Sequence, residues 1–574
     1  MFGIDLIDWI AIGVYLIFVT GVGLWAGRLV KGMRDFVMPR TFGKTLMIMH
    51  SFGTATHSDQ AVTVASKCYT NGLSGIWYQL QWLFATPFFW LIAPMMRRFR
   101  AITMANVFEA RFDRSVAILF VVIGLMKFTV NVGLMLKGTS TVIDACTGGA
   151  VPADQLVFVM TVLFVVYGLV GGLRAAIITD FVQGVLVIVF SFILLSPMLQ
   201  ELGGWSKVQT QVTDMTGSQS FFTLVAPGIG VFYVVMYSLN ALIGVVVQPQ
   251  NLGVCGAGRT ELEGAVGFMC GTMLKRVCTV AWAMTGLAAV ALYGTRVQNP
   301  DLIYGMAARD FLPQIMPGLL GIFMAALLAT VMGSCDSFMV SASGLVAENL
   351  YRPLFPQRSE THYLWVARIS GLLVVVTGVV FAYWLEGVVQ GLEILWKIGA
   401  MMGVAFWLGM FWRRTTVAGA WASTLSAFAI WWLTSQPWCA RGLAHVAAAH
   451  DWGIIVSKMV AGQAVPSIAL PWQMVFYLSG ALLVGILVSL VTRPVEPRQL
   501  EAFYGLQRTP VQLGEVPAGP CRLPESVVAG PRRVLWPNSN LEIPIPSRRA
   551  IVGFVVGWVC VLVLLFAVDW LVAL

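Results

Sequence analysis

Long apolar stretches, separated by short polar connections, follow one another along almost the whole chain. About fourteen of them are long enough to cross a bilayer as helices, each of which needs roughly 20 apolar residues. The predicted spans cover residues 5–29, 43–70, 74–96, 115–145, 154–173, 177–200, 224–250, 262–293, 316–350, 364–385, 390–412, 416–434, 472–492 and 551–573. The pattern predicts an all-α polytopic membrane protein.

The ninth span carries a polar stripe. Thr330, Ser334, Ser337 and Ser341 recur there at helical spacing and therefore share one face, with Asp336 beside them. A carboxylate at that depth is costly unless a partner or a cation neutralises it. Hard cations such as sodium take oxygen ligands, which this face offers. The alternative for the hydroxyls is close helix packing, which is common in membranes. Asp336 favours an ion site.

Two other spans are interrupted by polar residues. The second span contains His57, Ser58, Asp59 and Gln60, and Gly53 precedes them. Such interruptions mark helices that unwind in the bilayer, where free carbonyls can coordinate ions. The seventh span has Asn240 in its middle and ends at Gln248-Pro249-Gln250. Because the two spans are five apart, we expect an inverted repeat of five plus five helices with a site between its halves.

Composition and charge support a membrane location. Hydrophobic residues make up 58% of the chain and charged residues 11%, whereas a soluble domain carries about 25% charged residues. The net charge of +9 comes from basic residues that fall on one side if the spans alternate. These residues are Arg28, Lys31, Arg34, Arg40, Lys44, Arg97, Arg98, Arg100, Arg111, Arg114, Arg352, Arg358, Arg368, Arg413, Arg414 and the arginines of 493–549.

This distribution favours a membrane protein over one that binds nucleic acid. The positive-inside rule places the basic side in the cytoplasm and both termini outside the inner membrane of the cell. Acidic residues near the N-terminus argue against a signal peptide, so 5–29 is predicted to be retained. The cysteines and histidines show no metal-binding spacing, and no nucleophile–base arrangement or phosphate loop is present. We therefore predict that the chain is not an enzyme.

The predicted domains follow the same pattern. Residues 1–492 form a transmembrane transporter domain with a core at about 43–412. Residues 493–550 form a cytoplasmic linker rich in proline and arginine, with one short helix near Gln499–Tyr504. We expect this linker to be dispensable for the core fold. Residues 551–574 form a last transmembrane helix.

Several motifs resemble those of the sodium:solute symporter family. The run YGLVGGLRAAIITDFVQ (Tyr167–Gln183) resembles the family's Y…GGL.A….TD..Q signature. Met332–Tyr351 resembles its eighth core helix, and NVFEARFD and RPVEPRQLEAFYG resemble two further segments. The resemblance implies a LeuT-like bundle of the five-plus-five kind, in which one helix precedes ten core helices at spans two to eleven. It also implies sodium-coupled import of a solute by alternating access, with sodium as the transported coupling ion.

The resemblance further implies two sodium sites. The first uses Thr330, Gly333 and Ser334 of the eighth core helix together with Gln60 and Thr63 of the first. Gly333 departs from the family pattern, because a second hydroxyl is usual there. The second site maps to Asp180, Asp336 and Ser337. Two carboxylates near one cation would hold it tightly, and without it they would favour a shared proton. The alternative for Asp180 is a helix-start acid near the cytoplasmic surface, stabilised by Arg174.

Cations and amides in the spans indicate where a solute binds. Lys127 and Asn131 are four residues apart and share a helix face. The other candidates are Lys67, Tyr69, Asn240 and Gln248. Buried lysines need anionic partners, which are either acids of the chain or a carboxylate of the solute. We therefore expect a sodium-coupled symporter of a small polar organic solute, with a carboxylate-bearing solute as one candidate. The alternatives are a proton-coupled or uncoupled carrier and a symporter-like solute sensor.

Overall fold

Helices dominate the structure, as the apolar pattern predicts. The computed structural model describes residues 4–28, 36–226, 229–294, 297–446, 451–460, 463–515 and 518–573. Ten helices within these ranges are long and apolar enough to span a membrane. One antiparallel pair of strands, β1 (Ile455–Val460) and β2 (Gln463–Ile468), forms the sheet found in the described residues.

The helices are named here in chain order. They are α1 (Leu6–Gly27), α2 (Lys44–Ala55), α3 (Ser58–Asn71), α4 (Trp77–Leu80), α5 (Thr86–Arg98), α6 (Met104–Arg111), α7 (Arg114–Cys146), α8 (Ala153–Ile193), α9 (Leu195–Leu202), α10 (Trp205–Thr216), α11 (Val231–Val245), α12 (Asn251–Gly256), α13 (Glu261–Tyr293), α14 (Ile303–Ile315), α15 (Leu319–Gly344), α16 (Arg352–Leu354), α17 (Glu360–Trp384), α18 (Val388–Met401), α19 (Gly403–Phe411), α20 (Val417–Ser435), α21 (Pro437–Ala444), α22 (Leu470–Val491), α23 (Pro497–Arg508) and α24 (Arg548–Ala573). A π-helical segment, Leu345–Tyr351, continues α15.

Helices lie where the sequence predicts spans, but the predicted number of fourteen spans is not confirmed and one boundary differs. Helical backbone runs without interruption through α8, where the sequence predicts separate spans at 154–173 and 177–200. The predicted connection is Arg174-Ala175-Ala176, which consists of good helix formers, and α8 contains no proline. The chain therefore has no local reason to leave the helix at that point. The side chains of 166–172, which include part of the family signature, lie outside the described residues, as do Lys31 and Arg34.

The second span is broken where its polar residues predict. α2 ends at Ala55, Thr56 and His57 have extended backbone, and α3 begins at Ser58. The Gln60 side chain caps the new helix, because its Oε1 accepts a hydrogen bond from the His57 N–H at 3.3 Å. The seventh span is likewise divided into α11 and α12. These two interruptions bring main-chain polar groups into the middle of the bundle.

Described residues of the predicted basic side contact one another's segments, because Arg40 Nη2 donates to the Ala101 carbonyl at 3.0 Å. Arg98 on α5 pairs with Glu261 at the start of α13, at 2.9 Å. On the opposite face, Asp8 Oδ1 in α1 accepts from the Gly321 N–H of α15 at 2.7 Å. The end of α24 also lies on that face, where the Val572 carbonyl accepts from Trp205 Nε1 at 3.5 Å. Both outer helices therefore have their free ends on the side opposite the arginines. The assignment of the basic face to the cytoplasm stays a prediction.

The segment after α22 packs against the basic face. α23 confirms the helix predicted near Gln499–Tyr504 and is longer than expected. The Tyr504 hydroxyl donates to the Gly409 carbonyl at 2.8 Å, and Arg111 Nε donates to the same oxygen at 2.6 Å. Glu542 accepts from Arg413 at 2.7 Å. The arginine-rich segment is thus docked on the core through buried polar contacts. Its dispensability for the core fold stays a prediction.

Candidate functional site

The break between α2 and α3 faces the middle of α15. Ser334 of α15 is buried, and its Oγ lies 3.0 Å from His57 Nδ1 in the break. The same hydroxyl lies 3.4 Å from the carbonyl oxygen of Gly53, in the last turn of α2. This carbonyl also accepts a hydrogen bond from the Thr56 N–H at 3.2 Å, directly after the end of α2. The arrangement therefore places a hydroxyl and a main-chain carbonyl side by side at an unwound helix, deep in the bundle.

Gly333 leaves room for oxygens from α8. A Cβ atom on Gly333 would stand 2.5 Å from Gln183 Oε1 and 2.9 Å from Asp180 Oδ1. Gly53 faces the same carboxylate, because its Cβ position is 2.9 Å from Asp180 Cγ. The hydroxyl that the family pattern places at position 333 is absent, and two side-chain oxygens of α8 lie close to the space that it would occupy. A larger residue at 333 would collide with them.

Asp180 is held by His50 of α2. His50 Nδ1 lies 2.8 Å from Asp180 Oδ2, and both side chains are almost completely buried, with 1% and 2% exposure. Asp180 lies inside α8 and not at a helix start near the surface, so that alternative interpretation is wrong. The sequence did not reveal the pairing, because the two residues are 130 positions apart.

The other predicted sodium ligands are placed as follows. Gln60 Nε2 donates to the Ala55 carbonyl at 3.1 Å. Thr63 Oγ1 and Thr330 Oγ1 each donate to a carbonyl of their own helix, at 2.6 and 2.7 Å. Asp336 and Ser337 are buried further along α15. The structure thus brings Gly53, His57 and Asp180 next to the Gly333–Ser334 pair, whereas Gln60 and Thr63 make their hydrogen bonds within the first core helix.

A cavity lies between the two broken helices. Its volume is about 120 Å³. The predicted solute-binding residues found in its wall are Lys127, Asn131, Asn240 and Gln248, together with the predicted sodium ligand Gln60. Asn240 is already bonded within the protein, because its Oδ1 accepts from the Tyr477 hydroxyl at 2.6 Å.

Lys67 and Tyr69 are not in the cavity wall. Lys67 Nζ lies 4.9 Å from the centre of the Tyr78 ring. The Tyr69 hydroxyl donates to the Gly294 carbonyl, after the end of α13. Both residues come some ten positions after the break, and at about 1.5 Å per residue this moves them roughly 15 Å along the helix. Their predicted role in binding the solute is not supported.

Lys127 is a buried cation that has no ion-pair partner among the described residues. It is 4% exposed and lines the cavity from α7. Its Nζ lies 2.7 Å from the Cβ position of Gly399, so the ammonium occupies space that this glycine leaves free. Within the residues that the structure describes, Lys127 makes no hydrogen bond or ion pair. Burying an ammonium without compensation is costly, which indicates that an anionic group completes the site.

The sequence interpretation missed two basic residues of the cavity, Lys275 and Arg276, which enter it from α13. Asp59, which the sequence places in the interruption of the second span, enters it from the start of α3. Lys275 Nζ donates to the Ala55 carbonyl at 2.7 Å, and Arg276 Nη1 donates to the Gln79 carbonyl at 3.1 Å. The sequence feature that could have revealed Lys275 and Arg276 is a Lys-Arg pair inside an apolar span. With Lys127, the cavity wall has three basic groups and one carboxylate.

Comparisons with known proteins agree on one family. The sequence model of the "Sodium:solute symporter family" matches residues 36–426. The osmoregulated proline transporter OpuE of Bacillus subtilis is 25% identical over 475 residues, covering 79% of this chain and 93% of that protein. The sodium/pantothenate symporter of Escherichia coli is 22% identical over 431 residues, covering 71% and 86%. The sodium/glucose cotransporter of Vibrio parahaemolyticus is 22% identical over 464 residues, covering 73% and 83%.

Solved structures show the same architecture. A Na⁺-coupled sialic acid symporter in a substrate-bound, outward-open state superposes with a TM-score of 0.67 at 17% identity. The match covers 86% of this chain and 99% of that chain. It confirms the predicted LeuT-like fold.

Proposed function

This chain belongs to the sodium:solute symporter family, and we propose that the solute it takes up with sodium carries a carboxylate. The chain is a multi-pass membrane transporter and not an enzyme, and its activity is sodium-coupled symport of a small organic solute. The single observation that carries the proposal is the Lys127 ammonium, which lies in the central cavity and makes no ion pair with any residue that the structure describes. A solute carboxylate would supply the missing anion.

The wall of the cavity supports the same chemistry. Lys127 and Arg276 are basic, and the amide of Asn131 adds a neutral hydrogen-bonding group. Trp82, Phe268 and Trp396 offer apolar surface to the rest of the solute. Small-molecule sites commonly combine an apolar wall with a few polar groups that fix orientation. Among the solutes in the relatives' names, proline, pantothenate and sialic acid carry carboxylates, whereas glucose does not.

For sodium we propose a site where α15 meets the broken helix. The Ser334 hydroxyl and the Gly53 carbonyl supply two oxygens, and Asp180 Oδ1 lies 2.9 Å from the position that a Cβ on Gly333 would take. Thr330 would contribute through its carbonyl. Oxygen donors of this kind suit hard cations. The roles of Gln60 and Thr63, and the second site of Asp180, Asp336 and Ser337, stay predictions.

Such a site would couple the two substrates through the broken helix. Sodium would join α2 to α15 and favour one arrangement of the bundle, and the solute would then bind between the same helices. A ligand shifts such an equilibrium only by its differential affinity for the two states. The proposal places the basic face in the cytoplasm and the free ends of α1 and α24 outside.

The solute class can be tested with the purified transporter. The thermal stability is measured with a panel of small carboxylates and with the corresponding amides, each in sodium and in potassium chloride. We expect stabilisation by a carboxylate in sodium only, and none by its amide. Stabilisation by neutral solutes alone would contradict the carboxylate assignment. Equal effects in sodium and potassium would instead favour an uncoupled or proton-coupled carrier.

A further inference from the structure

The wall of the central cavity carries more positive than negative charge. Its basic residues are Lys127 from α7 and Lys275 and Arg276 from α13, and its acid is Asp59 from the start of α3. Each of the four side chains is buried, with 4% exposure or less. Among the residues that the structure describes, none of the four has an ion-pair partner. The one carboxylate offsets one of the three cations, so two positive charges of the wall have no counterpart within it.

Arg276 has hydrogen-bonding capacity left for a ligand. Its Nη1 donates to the Gln79 carbonyl at 3.1 Å, which fixes the guanidinium beside α4. Its Nε is buried and has no hydrogen-bond partner in the described part of the chain. The donors of a guanidinium form a flat fork that matches the two oxygens of a carboxylate. The side chain is therefore held in place by one donor while others remain unused.

Lys127 and Arg276 enter the cavity from different helices and are fixed by different neighbours. α3 packs against both α7 and α13. The Lys127 ammonium lies against α18, where its Nζ is 2.7 Å from the Cβ position of Gly399. Arg276 is instead fixed at α4 through its bond to the Gln79 carbonyl. Two separately anchored cations thus line one cavity, and a solute with two anionic groups can contact both of them.

We propose that the solute carries two carboxylates and that Arg276 binds the second one. This inference rests on the proposed function, because it takes Lys127 as the partner of the first carboxylate. Two carboxylates balance the two positive charges that the wall leaves without a counterpart. A solute with one carboxylate would leave a buried cation uncompensated, which is costly. Lys275 is already engaged, since its Nζ donates to the Ala55 carbonyl at 2.7 Å.

The number of carboxylates is tested with ligands that differ by one charge. The thermal stability of the wild-type transporter is titrated in sodium chloride at neutral pH with malonate, succinate, glutarate and adipate, and with the monoamide of each. We expect at least one dicarboxylate to bind about ten-fold or more tightly than its monoamide, because the lost contact is charged. Equal affinity for each dicarboxylate and its monoamide would overturn this inference and leave the proposed carboxylate site standing. Absence of binding by every carboxylate, with one charge or two, would overturn both.

Arg276→Met tests the residue assigned to the second carboxylate, because it removes the charge and largely fills the space. Its affinity for the dicarboxylate should fall about ten-fold or more, to that of the monoamide, whereas its affinity for the monoamide should stay close to that of the wild type. Arg259→Met is the control, because Arg259 precedes the same helix and is exposed. This variant should keep the wild-type preference. A preference that survives in Arg276→Met would overturn the role of Arg276. If Arg276→Met does not fold, the wild-type comparison of each dicarboxylate with its monoamide still decides the proposal.

Discussion

The hydroxyl of Ser334 lies 3.0 Å from Nδ1 of His57, and this contact joins α15 to the break in the first core helix. Ser334 is a predicted eighth-helix ligand whose side chain reaches the break, whereas Thr330 Oγ1 donates to a carbonyl of its own helix. Its oxygen is also within reach of the Gly53 carbonyl. The proposed site for the coupling ion therefore includes this hydroxyl.

Ser334→Ala should weaken the response to sodium. Loss of one oxygen ligand should raise the sodium concentration for half-maximal uptake by roughly ten-fold, since a hydrogen bond or ligand to a charged group is worth about 1.5–3 kcal/mol. Ser341→Ala is the matched control, because Ser341 lies on the same helix and is less buried. If uptake by Ser334→Ala depends on sodium concentration in the same way as uptake by the wild type and by Ser341→Ala, Ser334 is not a sodium ligand.

Gly333→Ala should destabilise the protein. The added Cβ would stand 2.5 Å from Gln183 Oε1 and 2.9 Å from Asp180 Oδ1, so α8 or α15 must shift. Overpacking of this kind typically costs about 1–3 kcal/mol. Gly13→Ala in α1 is the control, because no atom lies within 4 Å of its Cβ position. We expect Gly333→Ala to lower the melting temperature and Gly13→Ala to leave it unchanged. Equal melting temperatures for the two variants would show that α8 shifts without cost.

Lys127→Met should stabilise the empty transporter and impair transport. Removing a buried charge without a partner relieves its desolvation cost, so the melting temperature without solute should rise. Uptake of the carboxylate should fall by about ten-fold or more, mainly through a higher KM, because the lost contact is charged. Lys67→Met, outside the cavity, should change neither quantity strongly. A Lys127→Met protein that is less stable would indicate that the chain itself neutralises Lys127.

The Glu515 carboxylate should anchor the arginine-rich segment in a pH-dependent manner. Burial raises the pKa of Glu515, but hydrogen bonds from Arg100 and the Gln512 N–H outweigh burial and lower it below the ordinary 4.5. Because the pKa is lower in the folded protein, the stabilisation is complete above pH 4.5 and is lost as the pH falls through the lowered value. Breaking such a buried pair costs about 3–5 kcal/mol.

Glu515→Gln should therefore release the segment even at neutral pH. Limited trypsin digestion should then cut it faster at Arg522 and Arg532, whereas Glu525→Gln, whose side chain is exposed, should leave the rate unchanged. Unaltered digestion of Glu515→Gln would support the sequence expectation that the segment is an independent linker.

The sequence predicts the spans and both helix breaks because each depends on local pattern. Polar residues such as His57 and Asp59 inside an apolar run are visible without a structure. The pairing of His50 with Asp180 is not visible, because it depends on how α2 packs against α8. The prediction of a loop at 174–176 was wrong, because nothing in those residues ends a helix. The contact between Lys275 and the Ala55 carbonyl is not visible either, because only packing of α13 against the break brings the two together.

Uptake by proteoliposomes under imposed gradients tests the central claim most directly. Wild-type protein and Lys127→Met are compared with a labelled carboxylate that stabilises the purified protein, under an inward sodium gradient, an inward proton gradient or neither. We predict accumulation by the wild type with the sodium gradient alone, and a loss of about ten-fold or more in Lys127→Met. Accumulation driven by protons, or equal uptake without any gradient, would contradict sodium coupling. Undiminished uptake by Lys127→Met would contradict the carboxylate site.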